Sequence, residues 1–391
     1  MKKLLFITGA TLFLASCGKD DATNPSGNIE NDKKEAIATY ANIVSASYED
    51  SYNAVLNLKT KIDDFVAAPT ADKFEAAKTA WKASRIPYGQ TEAYRFYDGP
   101  IDDADGPEGL INAWPMDESY VDYISTDANS GIINDATNFP TITKETLTDA
   151  NENGSETNIA SGFHAIEFLL WGQDLSTSGP GARPYTDYLT TGGTASNQAR
   201  RGQYLKAAVD LLAENLSFLV DQWKTGGAYR TTFTSLSTTD ALTKMIKGIG
   251  ELSKGELAGE RMTVALTNHD QEDEHSCFSD NTHVDIEMNY KGIENVYKGS
   301  YTRTNGTVVS GKSLSSVIAQ LNATKNTAVV NQFTDATAKV GIIYTTPPFD
   351  QMISASNPTG NDKVNAAITS LQTLADKIAD AALALGITIS F

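Results

Sequence analysis

Apolar positions recur every three to four residues over most of this chain, which predicts long amphipathic helices. Ile37, Ala41, Val44, Tyr48, Tyr52, Val55, Ile62 and Phe65 keep one stripe until Pro69 stops it. Thr70 can cap the next helix, whose core phase begins Phe74, Ala77, Trp81. The cleanest stripe is Leu205, Val209, Leu212, Leu216, Leu219 and Trp223, and the last is Val364, Ile368, Leu371, Leu374, Ile378 and Leu385. Helical patterns also cover 240–273, 284–298 and 312–340. Long helices of this kind pack as antiparallel bundles. The expected fold is all-α: one four-helix bundle over 33–230, from helices at 33–67, 70–97, 157–172 and 199–224, and a second over 231–391. Two long irregular insertions, 98–156 and 173–198, interrupt the first bundle; connections of such length tend to cover something or to function.

Charge at core positions changes this picture. The second helix continues its interior phase as Arg85, Tyr88, Glu92 and Arg95. Either that half of the helix is solvent-exposed, with Pro87 shifting the phase, or it lines a polar interior. The segment GELAGERM behaves similarly, with Met245, Ile249 and Leu252 leading into Glu256, Glu260 and Arg261. Gly255 and Gly259 there are poor helix formers that let a backbone or ligand come close.

The chain has four histidines, confined to two segments. His164 lies inside GFHAIEFLLWG; His269, His275 and His283 lie in NHDQEDEHSCFSDNTH. His164 and Glu167, three apart, share one helix face among apolar neighbours. A buried imidazole–carboxylate couple needs partners, because stranding it costs roughly several kcal/mol. Glu272 and His275 form the mirrored Glu-x-x-His, and facing pairs of that kind build carboxylate-rich metal sites in bundle cores. In an acidic run that spacing also arises from a solvated helix end. His-Glu-x-x-His, Gly-x-Ser-x-Gly and P-loop motifs do not occur, and IDDADG lacks the first and last ligands of a calcium loop.

The ends place the protein. Lys2 and Lys3, the apolar run Leu4–Leu14 and the small-residue box LASC read as a signal peptide over 1–16. The box resembles that of bacterial lipoproteins, which predicts acylation at Cys17 and a polar tether over 17–32, with a lipid anchor as the only membrane contact. The expected location is the cell envelope, at the outer membrane, with Lys19-Asp20-Asp21 resembling a surface-export tag. Cys277 then has no disulfide partner in the chain and reads as a buried thiol. Loss of residues 1–16 leaves 29 basic against 49 acidic residues, a net charge of −20 with no basic cluster, which argues against nucleic acid as a partner.

Several blocks in order resemble the imelysin family: WKASRIPYGQTEAYRF, GPEGLINAWPMDESYVDY, GFHAIEFLLWGQDL with its Gly-x-His-x-x-Glu, GELAGERM and QEDEHSCFSDNTH. The resemblance spans essentially the whole mature chain. It implies a two-bundle helical fold with the Gly-x-His-x-x-Glu residues near the domain interface, in envelope or periplasmic proteins linked to iron uptake and in some cases classed as metallopeptidases. It makes His164 and Glu167 the expected metal pair, with Glu92, Glu260, Arg261, His275, Asp280 and His283 lining the site. From the helix patterns, Glu92 is a further candidate donor, and Arg85, Tyr88 and Glu272 are candidate lining. The expected cofactor is a divalent or ferric ion, iron or zinc. The expected partners are that ion and envelope iron-uptake components or a peptide. Three readings follow: metal binding without catalysis, a metallopeptidase, or a buried structural network with function elsewhere.

Overall fold

The computed structural model describes residues 25–346 and 348–391; the signal segment 1–16 and Cys17 lie outside them. The fold is all-α, with one short hairpin pairing Ser300–Thr302 with Val308–Ser310. The helices that position the site are α1 (Pro25–Ala67), α2 (Ala71–Thr91), α3 (Gly162–Trp171), α4 (Gln198–Trp223), α5 (Thr238–Glu251), α6 (Thr282–Lys298), α7 (Leu314–Leu321), α8 (Ala323–Thr345) and α9 (Pro358–Ala382). Helix α1 starts inside the stretch expected to be an irregular tether, so residues 25–32 are helical rather than linker.

The apolar stripes become the core. Ile37, Ala41, Val44, Tyr48, Val55, Ile62 and Phe65 of α1 are buried, as are the α4 stripe and Val364 to Ile378 of α9. Helix α1 packs on α2 and α4, while α9 packs on α8, α5 and the segment after α5. Thr70 caps α2, its hydroxyl accepting the Lys73 N–H at 3.4 Å. Pro87 lies inside α2 without ending it. The pattern over 312–340 resolves into two helices, because Asn322 ends α7 and caps α8 by accepting the Lys325 N–H at 3.1 Å. Leu385 falls beyond α9, in a 3-10 turn.

Two features bring distant chemistry together. Helix α2 packs against α6 as well as against α1. Glycines make that approach possible: a Cβ on Gly292 would stand 2.4 Å from the Gln90 carbonyl oxygen, and one on Gly89 2.7 Å from Met288 Cβ. Helix α5 then runs directly into a π-helix over Leu252–Thr263, which carries GELAGERM. Such widened turns concentrate at functional sites.

Candidate functional site

Helix α3 is buried on every side, so each polar group on it must find a partner within the protein. Gly162 starts it with φ +81°, pressed so closely on the Ile111 carbonyl that a Cβ would lie 2.5 Å from that oxygen. This explains the glycine that precedes the His-x-x-Glu couple. One turn on, His164 Nδ1 meets Glu167 Oε2 at 3.0 Å. The other carboxylate oxygen accepts the Ser279 N–H at 3.0 Å and its hydroxyl at 2.7 Å. Glu167 is therefore fully engaged. His164 Nε2 is buried and has no hydrogen-bond partner.

A second buried cluster stands beside the first. The His164 and His275 rings meet edge to face with centroids 4.6 Å apart. His275 Nδ1 bonds Asp285 Oδ2 at 2.9 Å, and its Nε2 accepts from Asn112 Nδ2 at 3.3 Å. Arg85 clamps Asp285 with two N–H groups at 3.1 and 3.0 Å and donates to Asn112 Oδ1 at 2.6 Å. The guanidinium lies over the Phe163 ring, 4.8 Å from its centre, and Trp114 of the first insertion packs on His275. The polar phase of α2 thus faces inward: Arg85, Tyr88 and Glu92 are all buried.

A third group continues the line. Glu92 Oε2 accepts from Arg261 Nη2 at 2.7 Å and from Arg95 Nη1 at 2.8 Å, and Arg261 also donates to Asn289 and to Glu256. Tyr88 OH, Glu92 Oε1, Arg95 Nε and Arg261 Nε are buried without partners.

These surroundings set the protonation states. Burial, with His275 and Arg85 adding to it, holds His164 well below the usual imidazole value. Burial pushes Glu167 up to about 8 and His275 down to about 4. Burial alone would raise Asp285, but Arg85 and the His275 bond hold it well below the carboxylate range. Glu92 is likewise held far down, burial being outweighed by Arg95 and Arg261. The His164–Glu167 bond survives in either form of the pair, with Nδ1–H donating to an ionised carboxylate or a carboxyl O–H donating to Nδ1.

The remaining expected residues separate from this centre. Glu260 is exposed on the π-helix. Glu272 is exposed in a 3-10 turn, so it does not share a helix face with His275. His283 lies near Tyr344, with ring centroids 6.2 Å apart, and Asp280 is buried among other carboxylates. Asp285, Asn112, Asn289 and Ser279 went unnoticed in the sequence. Asp285 and Asn289 flank the apolar positions Ile286, Tyr290 and Ile293 of α6, and polar residues at such positions were the available signal.

Among the described residues no three His, Cys, Asp or Glu side chains are placed to hold a metal ion. The donor atoms show why. Both Glu167 oxygens and both His275 nitrogens are taken, and Glu92 Oε2 answers to two guanidiniums, leaving His164 Nε2 as the free imidazole nitrogen of the couple and Glu92 Oε1 as a free oxygen in the neighbouring cluster. A resident zinc needs three protein ligands and an open position, which these residues do not offer.

A model of the imelysin family, Peptidase M75, matches residues 44–378. The chain belongs to the imelysin family. Within the range covered by comparison, iron-regulated protein A of Synechococcus elongatus is 26% identical over 380 residues, spanning 94% of this chain and 88% of that protein. The crystal structure of an iron-regulated protein A precursor from Parabacteroides distasonis shares the fold, with a TM-score of 0.70 at 20% identity over 91% of this chain and 95% of that one. In this chain the Gly-x-His-x-x-Glu segment is the couple built by α3, with Ser279 bonded to Glu167 and the Arg85–Asp285 clamp beside it.

Proposed function

We propose that this imelysin is an iron-related protein of the cell envelope, lipid-anchored through Cys17, that receives a metal ion as cargo at His164. One observation carries the reading: His164 Nε2 is buried without a partner while Nδ1 is tied to Glu167. Metal-binding imidazoles characteristically have the far nitrogen held by a carboxylate, which fixes ring orientation and tautomer. Glu167 has that orienting role, and Ser279 in turn fixes Glu167 through two hydrogen bonds. Imidazole suits iron as well as zinc. Because no three metal-binding side chains are grouped there among the described residues, the ion arrives with other ligands of its own, as a chelate. The name of the Synechococcus elongatus relative, iron-regulated protein A, supports an iron-related role.

The peptidase reading is weaker, because it needs further ligands and a separate general base that the centre does not supply. A purely structural network is the better rival, since Glu167, His275 and Asp285 are already well bonded. Equilibrium dialysis against ferric citrate separates the two. The wild type is expected to retain iron, His164→Ala to lose it, and Glu167→Gln to bind about 10–100-fold more weakly. Equal retention by wild type and His164→Ala, or none by the wild type, overturns the proposal.

A further inference from the structure

The second long insertion, 173–198, stands apart from the His164 centre and builds a cavity together with the first. The space, about 390 Å³, lies beyond the C-terminal end of α3, between Ile124 of the first insertion and Trp171, Leu175 and Pro180. Its size suits a small molecule. Hydrogen bonds hold the walls in place. Arg183 N–H donates to the Trp171 carbonyl at 2.7 Å, and Gly181 N–H to the Phe278 carbonyl at 2.9 Å. Ser125 N–H donates to the Gln173 side-chain oxygen at 2.7 Å, which ties the two insertions together. A cavity so braced needs little ordering when it is filled. Leu175 in its lining is 70% exposed, more than any other large apolar side chain among the described residues.

One charge in this lining is unanswered. Asp174 lines the cavity and is only 2% exposed. Its backbone is held by Gln271, whose amide donates to the Asp174 carbonyl at 2.8 Å. The carboxylate accepts a single hydrogen bond, from Ser176 N–H at 2.9 Å. Among the described residues no Lys or Arg pairs with it. Arg183, also in the lining, is engaged by Asp122 at 2.6 Å and Asp187 at 3.5 Å. Lys78 and Lys82 stand over the Trp171 ring, 5.5 and 5.6 Å from its centre, without pairing with Asp174. Burial, with Asp350 adding to it, pushes Asp174 up to about 6 in spite of the Ser176 bond. A buried carboxylate with one donor, beside an open apolar space, favours an occupant that brings a positive charge.

We propose that this cavity binds a small organic cation, an ammonium on an apolar stem, whose charge pairs with Asp174 while the stem lies against Ile124, Trp171, Leu175 and Pro180. The aromatic face of Trp171 adds attraction for a cation. The net charge of −18 raises the local concentration of such molecules. An anion is the rival occupant, because Arg183 Nε is buried without a partner. It is the weaker one, since two carboxylates already balance that guanidinium and nothing balances Asp174.

The site is independent of iron at His164 and is tested apart from it. The full chain is titrated near pH 7.5 (about 1.5 units above the Asp174 value) with three probes of similar shape: phenethylammonium, 2-phenylethanol and 3-phenylpropionate. Ligand-observed NMR reads the binding. The cation is expected to bind saturably and at least about tenfold more tightly than the alcohol or the anion. Asp174→Asn should remove that preference and leave the alcohol unchanged. This variant should fold, because the amide oxygen can still accept the Ser176 N–H. Ala182→Trp, at an exposed position of the lining, should fill the space and block all three probes. His164→Ala should bind the cation as the wild type does. Absence of saturable binding by about 10 mM overturns the proposal. A preference for 3-phenylpropionate, which would give the cavity to Arg183, overturns it as well. So does a preference for the cation that survives Asp174→Asn, or binding undiminished in Ala182→Trp.

Discussion

Arg85 and Asp285 come from positions 200 residues apart, yet they form the most completely enclosed ion pair beside the His164 couple. Such a pair adds little net stability over an apolar replacement, but breaking it leaves one charge buried and alone. Asp285→Asn should therefore lower unfolding free energy by about 3–5 kcal/mol in urea titrations. A loss below about 1 kcal/mol would mean that Asn112 alone satisfies the guanidinium. The sequence revealed half of this arrangement. Arg85, in the interior phase of α2, advertises a polar core, whereas its partner sits in α6, whose register is visible but whose polar positions look like an ordinary solvated face. His164 and Glu167 were legible because an ionisable couple inside a wholly apolar helix has few explanations. Glu272 misled because Glu-x-x-His spacing matters only on a helix, and the chain there forms a 3-10 turn.

Helices were easier to read than their junctions. Periodicity finds a buried face, but it does not show that Asn322 divides 312–340 or that α5 widens into a π-helix, since both depend on local backbone bonding. The close crossing of α2 and α6 was equally hidden: glycines at Gly89 and Gly292 look like ordinary helix weak points in one dimension. In the fold they set how near Arg85 and Glu92 come to Asp285 and Asn289. Gly292→Ala puts a methyl against the Gln90 carbonyl, a backbone atom that cannot rotate away. The substitution should cost about 1–3 kcal/mol, in spite of alanine's better helix propensity. It should also weaken iron retention by spreading the two helices. Stabilisation in a thermal melt would show that the crossing has room to relax.

Over the whole molecule, acidity acts in a direction opposite to that of an ordinary ion-paired surface. The net charge is −18, and several carboxylates are buried where they bind protons more tightly than they would in the unfolded chain. Asp280 rises from 3.8 to about 7 and Asp174 from 3.8 to about 6. Between the unfolded and folded values the native state holds more protons, so stability falls as pH rises through that window. Asp285, held low, works the other way, but its contribution is complete above the unfolded carboxylate value and is lost only in stronger acid. His275, lowered from 6.5 to about 4, adds stability as pH rises between those values. The His275 contribution is complete by about pH 6.5, and above that the buried acids act alone. In the presence of chelator, the urea midpoint should therefore decline from about pH 6.5 to about pH 8, and Asp280→Asn should flatten part of that decline. A midpoint that climbs with pH over the same range would mean that these carboxylates find counter-charges within the protein itself.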